Sequence, residues 1–247
     1  MFTIGVVMGQ DKVFALEKSA EDFRFDSQVA GVFDDMVDRS VPFYQEIQRM
    51  VGELAAEYAT EGSQLYDLGC ATGTTLALLD GVLPQEIVFT GIDNSPEMLE
   101  KCRSKFTQLH SARETRFLCQ DLKEKLTFDN ASVVAMILTL MFVRPMHRRA
   151  LLASIYEGLN PGGALILVEK VVCDSPDLNR RFIKYYYDMK RRHGYSELEI
   201  GQKREALENV LIPYSEGENR QMLSDVGFRS VEVFFRWYNF CAMVAIK

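Results

Sequence analysis

YDLGCATG at residues 66–73 and GIDNS at residues 91–95 decide how this chain folds. The first stretch runs from a short apolar strand, QLYDLG (64–69), through a glycine turn into TTLALLDGV (74–82), which has helical spacing. Gly69 and Gly73 allow close backbone approach, and the helix start beyond them offers unpaired N–H groups. A glycine turn alone says little, and this spacing is not the G-x-G-x-x-G of dinucleotide-binding turns. The second stretch adds a constraint. EIVFTGID (86–93) reads as the next strand, and Asp93 ends it about twenty residues past the turn, where a carboxylate accepts both hydroxyls of a ribose. Asp121 closes a third strand, TRFLCQD (115–121), at the place where a side chain meets an adenine edge. In the plainer reading Asp67, Asp93 and Asp121 only cap helices. Strand ends at a switch point are where α/β proteins bind ligands, and that favours the binding reading.

The alternation continues outward. Ser95 is placed as the N-cap of a helix with Pro96 at N1. SVVAMILTLMFV (132–143) is apolar enough for a central parallel strand running into a loop. A helix over 146–158 ends near NPGG, and ALILVEK (164–170) is a fifth strand. Residues 174–211 are charged and helical throughout, an insertion before the fold closes. GFRSVEVFFRWYNFCAMVAIK (227–247) splits near Tyr238-Asn239 into two β-rich runs, an antiparallel pair that finishes the sheet. On the other side, residues 28–58 carry helical periodicity. Val29, Val32, Phe33 and Met36 share a face, and Ser40 with Pro42 breaks the pattern before a second helix. This segment is either a docking helix or a lid over a ligand.

A chain of 247 residues, 47% hydrophobic and 26% charged, buries a sizeable core as one α/β domain with additions. The net charge of −7 argues against a surface built for nucleic acid. The basic runs RPMHRR (144–149) and MKRRHGY (189–195) read as solvated helix faces. The 5 cysteines are odd in number and lack C-x-x-C spacing, which fits free thiols in a reducing cytoplasm. His110, His147 and His193 stand far apart and suggest no metal site. MFTIGVVMGQDKVF (1–14) has no basic leader and too short an apolar run to span a membrane, so loose packing is expected there.

Taken together, LYDLGCATG, IDNSPEML, IYEGLNPGGALILVEK, the stretch FDSQVAGVFDDMVDRSVPFY (25–44) and above all GYSELEIGQKREALENVL (194–211) resemble the carboxy-S-adenosylmethionine synthase family. The likeness runs over about residues 23–247. It implies a Rossmann-like class I methyltransferase fold: a mostly parallel seven-stranded sheet with a terminal antiparallel hairpin. Residues 1–22 would be a flexible N-terminal segment and 23–247 a single S-adenosylmethionine-binding domain, with 23–60 as a helical lid and 174–212 as a helical insertion. Enzymes of that family use prephenate to carboxylate S-adenosyl-L-methionine, and a separate enzyme then modifies a wobble uridine in tRNA. No direct nucleic-acid contact and no membrane are expected.

Residue by residue, the resemblance puts Tyr44 on the ligand, with Gly69, Cys70 and Ala71 along its amino-acid part. Asp93 and Asn94 would hold the ribose, and Asp121 and Leu122 would flank the adenine. Arg204 would bind the added carboxylate from the neighbouring subunit of a homodimer. A buried carboxylate needs a paired cation, and a guanidinium supplies two parallel hydrogen bonds. Apart from the resemblance, Arg204 reads as a helix-surface residue paired with Glu208. Three positions depart from the family: Ala71 stands where serine is typical, Ile137 where asparagine is, and Met141 where glutamine is. Losing two amides dries the reactive end of the pocket. The alternatives are a methyltransferase of the same fold acting on a small molecule or RNA, and a silent S-adenosylmethionine-binding module.

Overall fold

The computed structural model describes residues 9–17 and 21–247. Its seven-stranded sheet has the order β3-β2-β1-β4-β5-β7-β6. Strands β1 (Gln64–Leu68), β2 (Val88–Asp93), β3 (Thr115–Cys119), β4 (Ala131–Ile137) and β5 (Leu159–Lys170) are parallel. β6 (Ser230–Trp237) and β7 (Phe240–Ile246) form the antiparallel hairpin, turning at Tyr238 in a left-handed conformation. This is the parallel sheet that the alternating runs predict and the class I arrangement that the resemblance implies. Strand order reverses between β1 and β4, which opens a crevice beyond their carboxyl ends.

Helices cover both faces, so β4 is buried from Ala131 through Met136 and shows no polar alternation. Its residues still divide by the strand period of two. Val133 packs with Ile47 and Val51 of α3 (Tyr44–Tyr58), and with Leu76 and Leu79 of α4 (Thr74–Asp80). Val134 and Met136 pack on the other face with Leu151, Leu152 and Ile155 of α6 (Pro145–Gly158). α5 (Pro96–Leu109) begins as the sequence predicts: Ser95 Oγ accepts from Met98 N at 3.1 Å, and Pro96 occupies the first turn. α6 ends at Gly158, near NPGG as expected, but NPGG itself lies within β5 and not ahead of it. Ala131 pairs with Leu159 and Val133 with Ala164, so residues 160–163 bulge out of the ladder, with Gly162 at φ +80°.

The N-terminal region forms α1 (Ser27–Ala30), α2 (Phe33–Ser40) and then α3, with an extra break at Gly31-Val32. Its apolar face is nevertheless shared: Val29, Val32, Phe33 and Met36 pack with Phe23, Met98 and Ala206. Asp34 accepts hydrogen bonds from Thr72 Oγ1 and Thr74 Oγ1 and pairs with Lys105 Nζ at 3.0 Å. Ser95 Oγ also donates to Phe25 O at 2.7 Å. These bonds fasten residues 25–34 to the glycine turn and to the start of α5.

The insertion is helical as expected, in α7 (Pro176–Arg192) and α8 (Glu197–Leu207), the latter opened by a Ser196–Glu199 capping box. A further helix, α9 (Glu216–Asp225), has no counterpart in the sequence reading. Two other readings are corrected. The basic runs are not merely solvated faces, because Lys190 and Arg148 are both buried. Arg148 donates to the carbonyls of Val143 (2.8 Å), Met141 (3.3 Å) and Ile212 (2.6 Å), and its guanidinium lies 4.3 Å over the Tyr214 ring. The opening segment is not loose where it is described. Asp11 is 2% exposed; its carboxylate accepts from Tyr195 OH at 2.6 Å and its N–H donates to Asp35 Oδ2 at 2.7 Å. Val13 is buried beside Phe23. Distant polar partners, invisible to periodicity, hold that segment; the expectation for residues 1–8 and 18–20 lies outside the described residues.

Gly73 carries φ +77°, and a Cβ built there would run into Cys102 Sγ. Gly73→Ala is therefore expected to lower unfolding free energy by about 2–4 kcal/mol, from backbone strain plus overpacking. Cys102→Ala in the same chain should restore the steric part alone, so urea unfolding of the double variant should fall between parent and single variant.

Candidate active site

The carboxyl ends of β1, β2, β4 and β5, roofed by residues 23–44, enclose a cavity of about 770 Å³. The turn after β1 forms its floor with Gly69 (φ +73°), Ala71 (φ +46°) and Gly73 in left-handed conformations. A Cβ on Gly69 would stand 2.5 Å from Thr139 Cγ2, so this turn also has to be bare to fit under the loop after β4. Ala71 is strained in a conformation that suits glycine, but its amide donates to Asp93 Oδ2 at 2.9 Å. Asp93 Oδ1 accepts from Ser95 N at 2.9 Å. Each oxygen keeps a further lone pair, enough for two hydroxyl donors. Burial pushes the Asp93 pKa up against the pull of those amides.

The remaining residues singled out in the sequence distribute around this floor. Asn94 is exposed at the rim. Asp121 and Leu122 line the cavity just beyond Cys119, where β3 ends, so Asp121 belongs to the following turn and not to the strand. Burial would raise the Asp121 carboxyl, but the Lys123 amide at 3.0 Å and ammonium at 2.9 Å outweigh it and hold the group below its usual value. Cys70 is buried, and the Cys102 thiol beside it, with burial, pushes its own thiol up. It offers backbone, not a thiolate. Tyr44 is the first residue of α3, swung into the cavity wall after Phe43 turns left-handed at φ 53°. Burial, then Asp34 and Asp67, pushes its phenol far up, so it remains a neutral hydroxyl donor.

Arg204 is not part of this cavity within one chain. Its side chain is 61% exposed, and it pairs with Glu205 at 3.6 Å in place of the expected Glu208. Ile137 and Met141 do line the wall, and Met141 Sδ accepts the Lys170 N–H at 3.4 Å. That stretch of wall is apolar, and the buried Arg148 braces it through the carbonyls of Met141 and Val143.

Sequence reasoning passed over two features. Asp67, noted there among the strand-end carboxylates but given no role, lines the cavity with Oδ2 lacking a hydrogen-bond partner among the described residues. Burial, with Asp93 beside it, pushes its pKa up to about 7. Its position at the end of β1 was the available signal. The second feature is a basic and aromatic cluster made by Lys170, Lys203, Tyr186 and Phe240, drawn from four separate elements and so without a contiguous motif. The cavity thus carries carboxylates fitted to a cationic amino acid and a ribose, an apolar stretch of wall and a cluster of lysines. This donor set fits S-adenosyl-L-methionine, whose ammonium would meet Asp67 and whose ribose would meet Asp93.

A family model described as "Methyltransferase domain" matches residues 65–163. The chain is 51% identical over 242 residues to the carboxy-S-adenosyl-L-methionine synthase of Methylococcus capsulatus, covering 97% of this chain and 100% of that protein. It is 47% identical over 239 residues to the synthase of the same name from Desulfotalea psychrophila, covering 96% and 97%. Among solved structures, an S-adenosyl-L-methionine-dependent methyltransferase fold from Methanococcus maripaludis matches with a TM-score of 0.60 at 16% identity, covering 94% of this chain and 97% of that one. Among the described residues, no helix is long and apolar enough to cross a membrane.

The ionisation of Asp67 is testable without ligand. Its folded-state pKa of about 7 lies above the ordinary 3.8, so it is neutral in both states at low pH and increasingly destabilises the fold as pH rises from about 4 to 7. Asp67→Asn should therefore be more stable than the parent, by a margin that grows over that window and levels off above it. The margin should reach on the order of 2–4 kcal/mol in urea unfolding. A margin independent of pH would show that burial does not raise this carboxyl.

Proposed function

The chain belongs to the carboxy-S-adenosyl-L-methionine synthase family, and on that footing we propose that it carboxylates the methyl group of S-adenosyl-L-methionine, with prephenate as the source of carbon dioxide. The observation that carries this reading is the near full-length likeness to named synthases, joined to a cavity with one acidic and one basic end. In balanced form, prephenate loses its ring carboxylate as carbon dioxide and its ring hydroxyl as the ring aromatises. The hydroxyl leaves as water with a proton from the donor's methyl group, and the new carbon–carbon bond joins that carbon to carbon dioxide.

In this scheme the residues of the chain bind, orient and exclude water. Asp67 pairs with the donor's ammonium, while Gly69, Cys70 and Ala71 face its amino-acid part through their backbone. Asp93 and Asn94 hold the ribose, and Asp121 and Leu122 flank the adenine. Tyr44 closes the roof, its ring apolar against the ligand and its neutral hydroxyl available to donate. The apolar wall at Ile137 and Met141 keeps water from the reacting carbon, where it would protonate the methyl carbon before carbon dioxide reaches it. Arg204 points away from its own cavity, which suits a role across a homodimer interface, binding the new carboxylate in the partner's site. The product then serves a separate enzyme in tRNA wobble-uridine modification, in the cytoplasm, where the free thiols would stay reduced.

Methyl transfer to another acceptor is the second reading; Ile137 and Met141, apolar where the family carries amides, favour it. Incubation with S-adenosyl-L-methionine and prephenate separates the two. A nucleoside product heavier by one carbon dioxide is expected, and unchanged donor would sink the proposal. Arg204→Ala should lose retention of that product at least tenfold while donor affinity stays within about threefold. Mixing Arg204→Ala with Asp93→Ala subunits should restore activity in part, because a mixed dimer then contains one intact site. No restoration would mean that the arginine serves its own chain.

A further inference from the structure

The cationic end of the cavity has no task in the donor scheme. Lys170 sits at the last position of β5 and lines the cavity, with no ion-pair partner among the described residues. Its ammonium lies 4.7 Å from the Tyr186 ring centroid. Lys203, from α8, lines the same end; its Nζ reaches Ser40 Oγ at 3.3 Å and stands 3.9 Å from Asp11 Oδ2. Lys190, from α7, lies behind them, 4.9 Å from the Tyr195 ring and 5.8 Å from Tyr186.

The charges facing this end come from every element around it. Asp11 is shared between Lys203 and the Tyr195 hydroxyl. Arg39 of α2 is paired with Asp35, and Glu199 of α8 is committed to the Ser196 cap. Positive charge is thus left in excess, with Lys170 as its cavity-facing member. Burial lowers Lys170 and Lys203 to about 8 and, with Lys203 and Lys170 beside it, lowers Lys190 to about 7. Clustering buried lysines costs stability, and an anion bound among them relieves it. Beside the lysines lie flat apolar surfaces: the Tyr186 and Phe240 rings, with centroids 5.4 Å apart, also line the cavity.

We propose that Lys170 and Lys203, with Tyr186 and Phe240, form a carboxylate-and-ring subsite that holds the side-chain carboxylate of an anionic, ring-bearing second substrate. This rests on the synthase reading above and assigns residues to its second substrate. The carboxylate held here is the one that survives the reaction. A carboxylate about to leave as carbon dioxide reacts faster in a dry, unpaired setting, and the apolar wall at Ile137 and Met141 supplies that setting for the other group.

The aromatised product, phenylpyruvate, keeps the side-chain carboxylate and the ring, and it is a stable probe. Titrating phenylpyruvate into protein saturated with S-adenosylhomocysteine should show binding that Lys170→Met weakens at least tenfold and Lys170→Arg largely retains. S-adenosylhomocysteine affinity should change less than about threefold in both variants, which reports that the fold and the donor site are intact. Parent affinity should also fall as pH rises through about 8, because the neutral lysines must regain protons to bind an anion, and this fall should be shallower in Lys170→Met. Phenylpyruvate binding that Lys170→Met leaves unchanged, or no binding to the parent at all, overturns the subsite. Failure of the parent to carboxylate its donor with prephenate is a separate result. It removes the synthase activity, and the phenylpyruvate titration still decides the subsite.

Discussion

The carboxylate of Asp93 takes one backbone amide from the turn after β1 and another from the start of α5, and the binding edge of the sheet is assembled around it. A buried charge of this kind is tolerated only with hydrogen-bond partners, so the carboxylate and the amides define each other's positions. Ala71 accepts a left-handed conformation in exchange for that bond. With the turn so placed, Thr72 and Thr74 present their hydroxyls to Asp34 and bring the N-terminal helices down as a roof. Floor, roof and the first turn of α5 are therefore one hydrogen-bonded unit.

Along its length the cavity changes sign. Asp67 and Asp93 stand at the ends of β1 and β2 and Asp121 in the turn after β3, whereas Lys170 ends β5 and Lys203 comes from the helical insertion. In the proposed scheme a cationic donor and an anionic partner would be drawn to different parts of the cavity, so the electrostatic field would help to orient both. Ile137 and Met141 lie on the apolar part of the wall. Attraction between opposite charges is strongest where no water screens it, and the apolar side chains at these positions keep the local polarity low.

What was legible in the sequence is what local pattern encodes. The strands announced themselves through apolar runs, the glycine turn through spacing, and α5 through Ser95-Pro96. α9 escaped because only Asn219 and Leu223 among its residues are buried, too few to give a stripe. Lys190 and Arg148 escaped for the opposite reason: their charge suggests solvent, but Arg148 caps carbonyls from two loops and Lys190 lies against tyrosine rings. Composition cannot distinguish a buried arginine that satisfies carbonyls from one on a helix surface. Asp67 was visible as a residue, yet its lack of a partner is a property of the assembled cavity alone. Arg204 stood out through family likeness, and a single chain leaves it facing outward.

Asp11 and Tyr195 are 184 positions apart, and their hydrogen bond closes a loop that contains most of the sheet. During synthesis the aspartate emerges early and must wait until α7 has been made before its partner exists. Contacts of such long range form late, after the entropy of the intervening chain has been reduced by the central fold. A segment that lies ahead of the whole sheet in the chain is thus among the last to be secured. Because Asp11 also neighbours Lys203, the basic end of the cavity acquires one of its nearby counter-charges from this segment only at that final stage.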